Sequence, residues 1–347
     1  MSGKKFKSIG EEGLHSLVET FKTHSGTPQS DVIKGIGDDA AVVHVENGKV
    51  QVISSEILLE GIHFDLTYTP LTHLGYKAVT AAVSDIYAMN ATPHHLLVNI
   101  AVANKVSVDM IEQLYKGIDA ACKDYNVQVI GGDTTASHQV MAISVTATGS
   151  CEEKTIIGRN SAKEGELLCV TGDLGAALAG LRILMREKKA WQDSGEEQFF
   201  QPDLADYEFV VKRQLVPLAQ KEFVSVLAES GIRPGAMTDL TKGLLNEAQM
   251  IAKASGVGFE IYSPAVPIAL ETRAVADEMH EDVDKYAFYG GEDFEMLFTL
   301  SEDTVEELQK HFQDFAVVGK VIPEEKGIII QTGEGESIHI DMNGQSD

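Results

Sequence analysis

Cysteine is scarce in this chain of 347 residues, basic residues are outnumbered, and no long apolar run occurs. The three cysteines, Cys122, Cys151 and Cys169, show no metal-ligand spacing. Cys122 and Cys169 sit in apolar runs and read as free buried thiols, a set that suits a reducing compartment. No window approaches the roughly 18 apolar residues that cross a bilayer as a helix. The basic start, Met1 to Lys7, leads into no apolar stretch and so does not read as a secretory signal. A cytoplasmic protein with no membrane segment is the expectation. Lys plus Arg number 28 against 53 acids, a net charge of −25, which argues against nucleic-acid binding because that needs basic patches. The phosphate-binding pattern G-x-x-x-x-G-K-[ST] is also missing, so a P-loop does not hold phosphate here. No repeat of solenoid period and no low-complexity tract occurs.

What is present is a series of acids set against glycines or hydroxyls. They are Gly35-Ile36-Gly37-Asp38-Asp39, Ser54-Ser55-Glu56 leading into Glu60-Gly61-Ile62-His63, Ser84-Asp85, Gly131-Gly132-Asp133-Thr134-Thr135 and, downstream, Asp239-Leu240-Thr241-Lys242-Gly243. Hard cations prefer oxygen ligands, and Mg²⁺ is usually held by a few carboxylates plus substrate phosphates. Adjacent carboxylates such as Asp38 and Asp39 resist desolvation unless a cation is present. Asp38-Asp39 also reads as a plain turn, and Asp85 as a solvent-facing acid on an amphipathic helix. Gly131 and Gly132 at a strand end would let backbone N–H groups approach a phosphate, with Asp133 beside it. His63 and the pair Glu292-Asp293 are weak signals alone. Thr171-Gly172-Asp173-Leu174-Gly175 reads as a strand-to-helix turn open to an anion, or as glycine packing.

Periodicity predicts a helix over Glu11 to Thr23, a strand over Val50 to Ile53 and a helix over Gly75 to Met89. It then predicts a strand over Leu97 to Val102, a helix from Ile111 to Tyr125, a short strand over Val127 to Ile130 that delivers Gly131-Gly132-Asp133, and a strand over Met141 to Thr148. The second half shows a strand over Leu167 to Thr171, a helix through Leu184, and a polar surface excursion over residues 186–206. A helix from Leu244 to Ala254 and strands at Phe259 to Tyr262 and Glu295 to Thr299 follow. Mixed order with alternating rather than solid apolar runs argues for α+β rather than a doubly wound sheet. The length favours two domains, an α+β half over 1–152 that carries most of the acid motifs and a C-terminal α+β half over 153–347.

The ordered motifs GIGDDAAVV, SSEILLEGIHF, GYKAVTAAVSDIYAMNATP, VIGGDTTAS, GRNSAKEGELLCVTGDLGAALAGL, MTDLTKGLLNEAQMIAKASGVG and GGEDFEMLFT closely resemble the thiamine-monophosphate kinases. These belong to the superfamily of aminoimidazole-ribotide synthetase, selenophosphate synthetase and the hydrogenase maturation factor E. The resemblance covers roughly residues 10 to 320. It implies a two-domain aminoimidazole-ribotide-synthetase-like fold, in a homodimer whose N-terminal halves share a β-barrel. It implies transfer of the ATP γ-phosphoryl to thiamine monophosphate with several Mg²⁺ ions. By motif, Asp39, Ser54, Ser55, Glu56, Asp85, Asp133 and Asp239 would surround the metals, with Asp85, Asp133 and Asp239 catalytic through them. Tyr115, Gly132, Asp133, Arg159 and Thr241 would contact ATP, and His63 and Glu292 the thiamine phosphate.

Three departures from the family stand out. Glu56 replaces the family's usual Asp, Lys242 reverses the sign of an acid, and the tail Met342 to Asp347 lacks the family's aromatic. Sister activities that need an N-terminal or C-terminal cysteine are disfavoured, since no cysteine precedes Cys122 and the tail has none. The competing reading is a diverged paralogue that binds nucleotide or thiamine phosphate with little kinase activity, or another ATP-using member of the superfamily.

Overall fold

A computed structural model describes residues 17, 18, 20–194 and 201–340. Most of the helix expected over Glu11 to Thr23 lies outside these residues, although residues 20–24 are helical. Among the described residues no helix is long and apolar enough to cross a membrane.

Two mixed sheets carry the chain. In the first, β1 (Val32–Lys34), β2 (Ala41–His44), β3 (Lys49–Leu59), β4 (Thr92–Ala103), β5 (Gln128–Ser137) and β6 (Ala142–Glu152) take the order β1-β2-β3-β6-β4-β5. Only β4 and β5 pair in parallel there. A parallel pair needs a crossover, which the helix Val108–Tyr125 supplies. The second sheet contains β7 (Leu167–Thr171), β8 (Met237–Asp239), β9 (Val257–Tyr262), β10 (Met296–Leu300), β11 (Phe315–Pro323), β12 (Ile328–Gln331) and β13 (Ser337–Ile340). Its order is β13-β12-β9-β11-β7-β10-β8. This is α+β, as the alternating pattern implies. Because β4 is flanked on both sides, Leu97 to Val102 does lie inside the sheet.

The helix Leu71–Ala88 is the beam between the sheets. Every residue from Leu74 to Ala88 is buried, because the helix packs on β3 and β6 on one side and on β8 on another. A helix apolar nearly all round belongs in an interior. That places polar side chains such as Lys77, Thr80, Ser84 and Asp85 in the core as well. The amphipathic helix Val108–Tyr125 crosses it so closely that a Cβ on Gly117 would lie 1.8 Å from the Thr72 carbonyl oxygen, and one on Gly75 2.1 Å from that of Leu114.

Three local expectations change. Gly131-Gly132-Asp133 does not follow a short strand but lies within β5, which runs on to Ser137. At Gly132, φ is +150° and a Cβ would meet the Val98 carbonyl oxygen at 1.8 Å, so the glycine is required by the close approach of β4 where the register slips. The helix expected to end at Leu184 continues to Ser194, which removes the first part of the expected excursion. Residues 195–200 of that stretch lie outside the described residues.

Gly117→Ala should therefore destabilise the fold by about 3 kcal/mol, since backbone atoms have to move apart. Urea unfolding of the variant checks this, and an unchanged midpoint would contradict the close crossing.

Candidate active site

Strand alternation decides which polar residues of β3 reach the interior. Val50, Val52, Ser54 and Leu58 are buried and point one way, while Ile57 is exposed and points the other. Ser54 thereby faces the beam helix, and its hydroxyl donates to Asp85. One residue along that helix, Ser84 donates to Asp239 at the end of β8. Asp39 arrives from the bend after Gly37. Oxygens of Asp39, Asp85 and Asp239 all lie within 4.8 Å of one another. The solvent-facing reading of Asp85 is thus excluded, since Asp85 and Asp239 are buried.

Arg159 holds this centre together. Its Nη2 donates to Asp39 at 2.5 Å, to Thr238 at 3.0 Å and to Glu247 at 3.1 Å, and its Nε donates to Thr238 at 3.1 Å. Burial disfavours its charge, but Asp39 and Glu247 outweigh that and hold the guanidinium pKa above its usual range. Sequence reasoning sets Arg159 against ATP; in this structure its guanidinium is buried among acids.

Burial raises the carboxyls in turn. Asp39 rises from 3.8 to about 7 through burial, with Arg159 opposing and Asp239 adding repulsion. Asp239 rises to about 7, mainly through burial, against the Ser84 hydrogen bond. Asp85 is pushed well up by burial and then by Asp239 and Glu56. Glu56 is raised by burial, with Lys242, a hydrogen bond to Asp85 and His63 acting against it. Glu247 rises to about 6. A hydrogen bond between two carboxyls requires a proton or gives way to a cation. Asp39 Oδ2 and Glu247 Oε1 are buried with no partner.

This donor set fits a hard cation. Ligand oxygens around an ion at about 2.1–2.5 Å lie within about 5 Å of one another, the scale on which the three aspartates converge. Asp39, Ser54, Glu56, Asp85 and Asp239 are the residues that would hold it.

Two expected ligands stand apart from this centre. Ser55 is on the opposite face of β3, exposed, with its hydroxyl 3.0 Å from that of Thr146. Asp133 is also exposed and falls in the cross-strand row Ile57, Ser144, Asn99, Asp133 on that outer face. Directly paired residues share a face, so neither carboxylate nor hydroxyl reaches the buried triad within one chain. Tyr115 of the Val108–Tyr125 helix is 40% exposed.

His63 and Glu292 do come together, lining one cleft of about 70 Å³ with Tyr68, Lys77 and Gln214. His63 Nδ1 accepts from the Leu59 N–H at 3.0 Å. Lys77 donates to Glu292 at 2.7 Å and to the Gln214 carbonyl at 3.2 Å. Glu292 and Phe294 hold positive φ, 65° and 55°, rare for non-glycine residues. The surroundings impose it: the Glu292 and Phe294 N–H groups donate to the carbonyls of Thr241 and Leu240, at 3.1 and 3.0 Å. Asp293 between them accepts from the Gly175 and Ala177 N–H groups at 2.9 and 3.3 Å. The helix N-terminus offered by Thr171 to Gly175 therefore already holds a carboxylate, and an anion is not needed there.

Sequence reasoning did not find Lys77, Thr238 or Glu247. Lys77 carried a signal, a lone cation on an otherwise apolar helix. Glu247 looks like an ordinary first-turn acid until Arg159 arrives from 88 residues away.

The raised carboxyls fix the sign of a pH effect. Between 3.8 and about 7 the folded chain holds protons on Asp39 and Asp239 that the unfolded chain has lost. Stability of the metal-free protein should then fall as pH rises through that window. Mg²⁺ should raise the melting temperature more at pH 7.5 than at pH 5, and no Mg²⁺ effect at pH 7.5 would contradict the cation site.

Comparison with known proteins bears on family and fold. Family models described as AIR synthase related protein match residues 37–151 (N-terminal domain) and 163–331 (C-terminal domain). The thiamine-monophosphate kinase of Bacillus subtilis is 32% identical over 83% of this chain and 85% of its own length. That of Aquifex aeolicus is 31% identical over 97% and 96%. The structure described as AaThiL complexed with AMPPCP and TMP superposes with a TM-score of 0.81 at 26% identity, covering 99% of each chain. Two AIR-synthase-type domains, matched end to end by relatives of one kind, identify the chain as a member of the thiamine-monophosphate kinase family of AIR synthase related proteins.

Proposed function

We propose that this protein transfers the γ-phosphoryl group of ATP directly, in line, to thiamine monophosphate, giving thiamine diphosphate and ADP in the cytoplasm. The observation that carries the reading is the convergence of Asp39, Asp85 and Asp239 from three distant stretches into one buried group. Relatives named thiamine-monophosphate kinase, and a similar structure holding AMPPCP and TMP, supply the substrates.

The chemistry suits the residues. A phosphate-monoester oxygen is already anionic near neutral pH, so the acceptor needs no general base. What the step needs is charge neutralisation and alignment. Several Mg²⁺ ions bound by the acid centre would supply the neutralisation between two polyanions. The chain's own contribution is to orient the acids: Arg159 fixes Asp39, Ser54 fixes Asp85 and Ser84 fixes Asp239. His63 and Glu292 line the cleft assigned to the acceptor's phosphate, and Thr241 lies between Asp239 and Lys242 where a nucleotide phosphate would pass.

The division into halves 1–152 and 153–347, and a homodimer through the outer face of the first sheet, belong to the same reading. That face exposes Ile57 (59%), Leu97 (39%) and Ile130 (58%), which a second copy would cover. Two such faces closing into a shared barrel would bring Asp133, Gly132, Ser55 and Tyr115 to ATP and its metals at the interface.

Lys242 takes the place of one cation in this scheme. Its charge already opposes burial at both Glu56 and Glu247. A coupled assay should show ADP release that requires both thiamine monophosphate and Mg²⁺, and Lys242→Asp should lower kcat at least about tenfold, a barrier increase of about 1.4 kcal/mol. Absence of acceptor-dependent ADP release would defeat the kinase reading. A large gain in kcat for Lys242→Asp would defeat the cation substitution alone.

A further inference from the structure

A cleft of about 530 Å³ opens where the helices Leu71–Ala88 and Val108–Tyr125 end, against the helix Lys221–Ser230. It shares no lining residue with the acid centre or with the His63–Glu292 cleft. Val224, Leu227 and Ala228 of the Lys221–Ser230 helix line it, at the spacing of a single helical face. Tyr87 and Tyr125 add aromatic surface, their ring centroids 6.3 Å apart. The wall also holds an unused acceptor. Asn90 Nδ2 donates to the Thr155 carbonyl at 2.9 Å, while Asn90 Oδ1 is buried with no partner.

Charge sets this cleft apart from the rest of an acidic chain. Its wall carries two cations, Lys221 and Arg233, against one carboxylate, Glu152, which is exposed. Lys221 Nζ donates to the Asp124 carbonyl at 2.7 Å and Arg233 Nη2 to the Ile156 carbonyl at 2.9 Å. Neither forms an ion pair with an acid among the described residues. A guanidinium has five N–H donors, so most of those of Arg233 stay unused. Lys221 begins the ten-residue helix and Arg233 follows its αL stop at Gly231, so about 15 Å of helix lies between them. A small inorganic anion does not bridge that length. The space is that of an organic ligand, since binding clefts run to about 300–1,000 Å³ and a benzene ring needs about 150 Å³.

We propose that this cleft is a second ligand site, separate from the acid centre, for an elongated organic anion: an aromatic body lies along Tyr87 and Leu227, and its anionic head pairs with Arg233. A planar guanidinium holds a carboxylate, sulfonate or phosphate through parallel N–H donors. Tyrosine and leucine walls take the apolar body out of water. Lys221 at the far end of the helix adds to the positive field without competing for the head. The site stands whether or not the chain is a kinase, because none of its residues enters that chemistry.

Fluorescence titration of the full chain with anilinonaphthalene sulfonate, an aromatic anion, tests the site. One saturable site per chain is expected. Arg233→Gln should weaken its Kd about tenfold, the worth of one charge-assisted hydrogen bond. Ala228→Trp, which fills the cleft from an exposed helix position, should abolish binding. Arg233 is exposed, so its variant reads the head group even where Ala228→Trp lowers the melting temperature. Phenylnaphthylamine, which lacks the sulfonate, should bind more weakly and be indifferent to Arg233→Gln. Cys151 lines the cleft while Cys122 and Cys169 are buried, so the bound sulfonate should slow alkylation of Cys151 by iodoacetamide. No saturable binding, or binding that a folded Arg233→Gln leaves unchanged, overturns the site. Competitive displacement by MgATP, or undiminished Cys151 alkylation, places the probe elsewhere and overturns it too. None of these results touches the kinase reading, which rests on acceptor-dependent ADP release.

Discussion

The desolvation of clustered carboxylates is the constraint on which the rest of this molecule depends. Asp39, Glu56, Asp85, Asp239 and Glu247 meet in an interior that two side chains, Arg159 and Lys242, only partly neutralise. Removing unpaired charge from water is among the largest penalties a fold can carry. Protons relieve it below neutrality, which is why the carboxyls are raised; a divalent cation would relieve it at higher pH. A stable fold without such a cation would have been reached more simply with apolar residues at these positions. The acids are better understood as a site than as part of the packing.

The framework is arranged to keep those acids in place. One helix, Leu71–Ala88, runs between both sheets and carries Lys77 to the small cleft and Ser84-Asp85 to the acid centre, two turns apart. The close crossing at Gly75 and Gly117 fixes that helix against its neighbour. On the other side, Glu292 and Phe294 hold strained backbone angles only because their N–H groups are stitched to the Leu240–Thr241 carbonyls. The loop that delivers Asp239 and the turn that carries Glu292 are therefore tied to each other. Strain of this kind persists where surrounding structure over-determines it, and it recurs at functional sites.

Much of this was legible in the sequence, and the rest fails for identifiable reasons. The amphipathic helix ending at Tyr125 and the α+β class followed from periodicity. The acid motifs pointed to a cation site, and the structure does gather Asp39, Glu56, Asp85 and Asp239. Motif reading cannot see strand faces, however. Ser54 and Ser55 are neighbours in the chain but lie on opposite sides of β3, and Asp133 falls on the outer side for the same reason. Gly131-Gly132 lies within β5 rather than at its end, because a glycine forced by strand approach is written in the same letters as one in a turn. Glu247 was beyond reach because its partnership with Arg159 spans 88 residues. Asp293 looked like half of an acid pair and caps a helix more than a hundred residues away, with 118 between it and Gly175.

Counting protons tests the central claim most directly. Mg²⁺ titrated into the protein at pH 6.5, in buffers of different ionisation enthalpy, reports how many protons leave as the cation binds. Carboxyls raised to about 7 at Asp39 and Asp239 should release about one to two protons per chain. A Mg²⁺ binding enthalpy that does not depend on the buffer would mean that no buried acid gives up a proton, and would contradict the account.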